Sequence, residues 1–200
     1  MSTLTVEQEI KQQFARLFVA QDATLFKRMA DYYFKYAASL KTADIEIAQD
    51  LKLVARNCQK RLFIGIGTEL LLKATYLKHG FAINKVEQGQ AGAPTFPFTF
   101  QVISGFSQTP DNTYMLGDLI DKLHVVLPAV GLPSVMRGLR IAKVFRNKEG
   151  HVVLPAHAYV SANYRDIETA LITIYFHAFQ QTLQLHFSFA PNETALWRIR

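Results

Sequence analysis

Two hundred residues, half of them hydrophobic and including fifteen Phe and eight Tyr, suffice for one domain with a substantial core, which excludes a predominantly disordered chain. The formal net charge of +6 favours polyanionic partners as a background term and decides nothing alone. A single cysteine, Cys58, excludes an internal disulfide; the amino terminus lacks the order of a secretory signal, and no apolar run reaches the about 18 residues of a membrane helix, so a cytoplasmic protein without membrane contact is expected.

Val6 to Ala20 reads as a helix with Ile10, Phe14, Leu17 and Phe18 on one side. Asp22 can cap a second helix to about Leu40, in which Tyr32, Tyr33 and Tyr36 cluster beside Phe26 and Met29. These tyrosines read as packing, with a platform for base stacking as the alternative. Thr42 or Asp44 opens the longest helical pattern, which stops at Gly80. Its stripe is Ile47, Leu51, Val54, Cys58, Leu62, Gly65, Glu69, Leu72 and Tyr76, stepping by three or four residues. Gly65 costs helix stability and predicts a close approach by a neighbouring helix. Glu69 puts a carboxylate on an apolar stripe and needs a partner, for which Lys73 stands one turn later. Gly65-Ile66-Gly67-Thr68 invites a phosphate-loop reading, but it lies inside a helical pattern and reads as packing.

Phe81 to Thr113 is irregular, with three prolines and the alternating run Thr95-Phe96-Pro97-Phe98-Thr99-Phe100. It reads as a short hairpin or as a long loop over the bundle. Asp111-Asn112-Thr113 offers caps for a helix through Leu119, Ile120 and Leu123 to Pro128. Pro133 begins another helix ending near Arg146, and a loop from Asn147 to Pro155 leads to a last long helix, about Ala156 to Phe187. That helix is apolar over much of its circumference, which predicts burial by the core and by a second subunit. No repeat or linker divides the chain. One all-α domain over 1–200 is expected, with 1–42 as a helical extension.

The motif that carries chemistry is Arg146-Asn147-Lys148-Glu149-Gly150-His151. In this composition Arg-Asn-x-x-x-His is expected by chance about 0.01 times. Val135, Leu139, Ala142 and Phe145 mark the buried side of the preceding helix, and Arg146 projects within that arc. A guanidinium there needs a carboxylate, a carbonyl or an incoming phosphate, and Glu69 is one candidate. Arg140 and Lys143 project outside the arc. The remaining histidines form no i, i+4 ligand pair, and no metal or cofactor is expected.

The segments Gly67-Thr68-Glu69-Leu70-Leu71-Leu72, Leu116-Gly117-Asp118-Leu119-Ile120-Asp121-Lys122-Leu123 and Gly138-Leu139-Arg140-Ile141-Ala142, leading into Arg146-Asn147-x-x-x-His151, resemble the HEPN superfamily over about residues 44 to 187. The resemblance implies a helical bundle, commonly dimeric, and in many members a metal-independent endoribonuclease acting as a toxin or antiviral effector, with an antitoxin as partner. Other members are non-catalytic binding modules. The residues suit the chemistry: His151 for general acid or base work near neutral pH, Arg146 for the charge on a phosphorane, Asn147 for orienting either. Arg140, Lys143 and Lys148 are expected to hold flanking phosphates. One imidazole does not easily serve as base and acid in the same step, so two motifs across a two-fold axis are expected. The alternative makes Arg146 a structural ion-pair partner and His151 an ordinary loop histidine.

Overall fold

The computed structural model describes residues 5–6, 22–41, 43, 45–49, 51–149, 161–187 and 197–199. The helix expected over Val6–Ala20 lies outside them apart from its first residue. In α1 (Ala23–Ser39) the Asp22 carboxylate accepts hydrogen bonds from the amides of Thr24, at 2.8 Å, and Leu25, at 3.2 Å, satisfying donors that a helix start leaves open. Phe26, Ala30, Phe34, Ala37 and Ala38 form its buried face.

Helix α2 (Lys52–Lys78) is the axis of the fold, and every residue from Leu71 to Leu77 is buried. It starts at Lys52 and not at Thr42 or Asp44, two residues outside those described. The Leu51 amide bonds back to the Ala48 carbonyl at 2.9 Å in a turn, and Ile47 and Leu51 are exposed, so the first two positions of the stripe face solvent.

The irregular stretch after α2 holds a small antiparallel pair, β1 (Asn84–Val86) with β2 (Gln108–Thr113), in which Asn84 faces Thr113. Between them comes a single turn, α3 (Phe100–Ile103), capped by Thr99. The alternating phenylalanines form a plug, with the Phe96 ring 3.8 Å from that of Tyr114 and 5.3 Å from that of Tyr76. Asp111-Asn112-Thr113 therefore belongs to a strand, and the residue at the start of the next helix is Met115. Helix α4 (Leu116–Val126) is closed by Asp118, which accepts from the Met115 amide at 3.1 Å. It is tied to α2 by the Tyr76 hydroxyl, which donates to the Leu119 carbonyl at 2.8 Å.

Helix α5 (Pro133–Glu149) continues three residues past Arg146, so Arg146 and Asn147 are helical and not the start of a loop. Asn147, Lys148 and Glu149 are all compatible with a helix, and the first breaker is Gly150. Two glycine contacts fix α5 from both sides. A methyl group at Gly138 would lie 2.2 Å from the Asp166 carbonyl oxygen on α6 (Ser161–Phe179), and one at Gly65 would lie 2.6 Å from the Arg146 nitrogen. The close approach expected at Gly65 is thus made by α5.

The last helix ends at Phe179 and not at Phe187. Gln180 takes a left-handed conformation (φ 55°), and the chain turns into β3 (Leu183–Leu185), paired antiparallel with β4 (Trp197–Ile199). Leu183, Leu185 and Phe187 are buried while Gln184 is exposed, the two-residue alternation of a strand. The helical expectation holds in the main, and among the described residues two small antiparallel sheets are added to the helices. Among the described residues no helix is long and apolar enough to cross a membrane.

Candidate functional site

Two sides of the carboxyl end of α5 carry polar groups. On the α2 side, Val135, Leu139, Ala142 and Phe145 are buried and Arg146 sits at the edge of their arc. Its Nε lies 3.4 Å from Glu69 Oε2, and the other oxygen of Glu69 receives Lys73 Nζ at 2.9 Å. Glu69 thus bridges two cations, which is why a carboxylate is tolerated on that stripe. The Arg146 contact is an ion pair in distance but not a hydrogen bond in geometry: Nε is sealed from solvent without a hydrogen-bond partner. The side chain as a whole is 40% exposed, so its open surface lies elsewhere along it. The backbone is held because Gly65 lets α2 and α5 touch there.

On the neighbouring side, Arg140, Lys143, Val144, Asn147 and Lys148 recur at steps of three and four and line one flank of a groove of about 320 Å³. Ile120 and Asp121 of α4 form the other flank. None of the three groove cations makes an ion pair with the described residues, and among those residues Asp121 is the one carboxylate lining the groove. The Lys143 ammonium packs against Gly117 in the first turn of α4, where a methyl group would lie 2.6 Å from it. A helix start repels cations, so the helix end beside it does not neutralise this ammonium. Arg140, Lys143 and Lys148 therefore line one groove together with Asn147, whereas Arg146, with which the sequence groups Asn147, faces α2 and does not line it. His151 lies outside the described residues.

A second charged cluster went unseen in the sequence. Lys60 and Arg61 of α2 and Glu168 of α6 are buried, with Lys60 3% and Glu168 6% exposed. Together Lys60 and Glu168 clamp the backbone of Phe187: Lys60 Nζ donates to its carbonyl, and its amide donates to Glu168 Oε1. His186 Nδ1 stands 3.7 Å from the other Glu168 oxygen, and the Lys60 ammonium lies 5.3 Å from the centre of the Tyr164 ring. Burial, reinforced by the nearby Arg56 cation and opposed by Glu168, holds the Lys60 ammonium down to about 7. Arg61 Nη2 approaches Cys58 Sγ at 3.7 Å. The one signal was positional: Arg61 falls three residues after Cys58 and four before Gly65, next to Leu62 of the stripe.

Among the described residues no group of three or more His, Cys, Asp or Glu is placed to hold a metal ion. Comparison with known proteins assigns no family, since no family model, no curated protein and no solved structure matches this chain.

Proposed function

We propose that this protein is a metal-independent endoribonuclease of the HEPN type, working as a homodimer through Arg146, Asn147 and His151. The observation that supports it most is the end of α5, where Arg146 is braced by Glu69 on one side and cations without an ion pair among the described residues line a groove beside Asn147 on the other. A groove with three cations that make no ion pair with the described residues, and with Ile120 and Val144 among its lining, suits a sugar–phosphate chain better than a neutral ligand.

In this reading the ribose 2′-oxygen attacks phosphorus as a base accepts its proton. The bond from phosphorus to the 5′-oxygen breaks, and an acid returns a proton to that oxygen. The imidazoles of His151 in two subunits supply base and acid, Arg146 stabilises the charge on the phosphorane, and Glu69 orients Arg146. Arg140, Lys143 and Lys148 hold the flanking phosphates. A toxin or antiviral role, with a protein antitoxin as partner, follows from the resemblance alone.

The Arg146–Glu69 pair also favours a second reading, a non-catalytic module of the same kind that binds RNA, a nucleotide or a protein, with Arg146 as a structural residue. RNA incubated with the pure protein and a chelator separates the two. The enzyme yields 2′,3′-cyclic phosphate and 5′-hydroxyl ends, and His151→Ala abolishes cleavage without changing the far-UV helical signal. Cleavage that survives His151→Ala removes the assigned chemistry; binding without cleavage selects the second reading.

A further inference from the structure

The outward side of α1 plays no part in the chemistry above. Leu25, Met29, Tyr32 and Tyr36 follow one another along it at helical spacing and are all exposed, Tyr32 by 59% and Tyr36 by 41%. The two tyrosine rings lie nearly parallel, 6.2 Å apart with 23° between their planes. They are braced from below: Tyr36 stands edge-on to Phe63 at 5.1 Å, and Tyr33, which meets Phe63 at 5.8 Å, supports Tyr32 edge-on at 5.6 Å. Packing thus accounts for Tyr33, while Tyr32 keeps most of its surface open.

The same face is basic. Arg28 and Lys35 are exposed and make no ion pair with the described residues, and no exposed residue of α1 is a carboxylate. The helix's one acid, Asp31, is engaged inward by Lys27 at 2.8 Å and by the Tyr175 hydroxyl. A cation stands one turn before Tyr32 and another immediately before Tyr36, with about 10 Å of helix between them.

We infer that this face of α1 is a binding site for single-stranded RNA, distinct from the groove on α5. Bases stack on Tyr32 and Tyr36, and Arg28 and Lys35 take the phosphates on either side. Charge complementarity selects a polyanion: a second copy of this face would set Arg28 and Lys35 against like charges, whereas a strand of phosphates neutralises them. Open aromatic faces select unpaired bases, because in a duplex the base faces are already stacked. This site requires no cleavage chemistry and stands whether or not the chain is an enzyme.

The test is fluorescence anisotropy of the full chain with a labelled 2′-O-methyl 12-mer of mixed sequence, a probe whose blocked 2′-oxygen prevents cutting. Tyr32→Ala with Tyr36→Ala should weaken binding about 10- to 100-fold, and the corresponding pair of Phe substitutions should stay within about twofold. Arg28→Gln with Lys35→Gln should lower the slope of log affinity against log salt by about 1.4. The tyrosine effect should persist in a chain carrying Arg140→Gln, Lys143→Gln and Lys148→Gln, which separates this site from the groove. Failure of the chain to cleave unmodified RNA would count against the enzymatic reading alone. The inference is overturned if the Ala pair binds the single strand as tightly as the unaltered chain, or if the unaltered chain binds no single strand. It is equally overturned if the Ala pair turns a dimer into a monomer by light scattering while RNA affinity is unchanged.

Discussion

At the end of α5, Arg140, Lys143 and Lys148 face a groove without ion-pair partners among the described residues, while on α2 Lys60 and Arg61 are sealed inside the fold. The residue types are the same and the surroundings opposite. Beside the groove, water screens the charges, so they cost the fold little. Inside, each charge must be met by the protein itself, and Glu168, Tyr164 and the backbone of Phe187 meet Lys60. Cations that look alike in a sequence therefore stay at the surface in one place and serve architecture in the other, and burial draws the line. Arg146 lies between the extremes, its Nε enclosed and its side chain 40% exposed.

The contrast can be broken most forcefully at Glu168. Glu168→Ala leaves the buried Lys60 without its carboxylate and the Phe187 amide without its acceptor, and should cost about 3–5 kcal/mol in urea unfolding at pH 6. A loss below about 1 kcal/mol would mean that water reaches the cluster, and the contrast between the regions would vanish. Next comes Gly65→Ala, which drives a methyl group into the Arg146 backbone. A loss of about 1–3 kcal/mol is expected, and any ribonuclease activity should fall further than the unfolded fraction explains, because Arg146 is displaced.

Proton linkage sharpens the comparison. Lys60 titrates near 7 in the fold, below the about 10.4 of an unfolded lysine. Between these values the unfolded chain binds more protons, so the Lys60 contribution makes stability rise with pH. Unfolding midpoints should therefore increase from pH 7 to 9, and Lys60→Met should flatten that slope. The smallest effect on the fold belongs to the groove. Replacing Arg140, Lys143 and Lys148 with Gln should change stability by no more than about 0.5 kcal/mol while weakening RNA binding and reducing its salt dependence.

Local features were legible in the order of residues alone. Asp22 announced its cap, Gly65 the crossing of α5, and the spacing of Glu69 and Lys73 their ion pair, because each depends on helical period and near neighbours. The direction of Arg146 followed from the same projection. What stayed hidden depended on distant partners or on a change of period. Lys60 is buried because Glu168 and Phe187 arrive from far along the chain, and no local pattern encodes that meeting. Leu183, Leu185 and Phe187 extend an apolar helix without a proline or glycine between, so a strand read as more helix. Leu51 continued the stripe but found no helix to face.

The grip on Phe187 also bears on how the chain is made. Lys60 and Glu168 are synthesised well before the backbone groups they hold, and Asp31 must wait for the Tyr175 hydroxyl. A ribosome adds about 5–20 residues per second, so Lys60 is made several seconds before the carbonyl that receives it. A chain halted just short of residue 187 lacks these partners and should be a preferred client of chaperones and proteases.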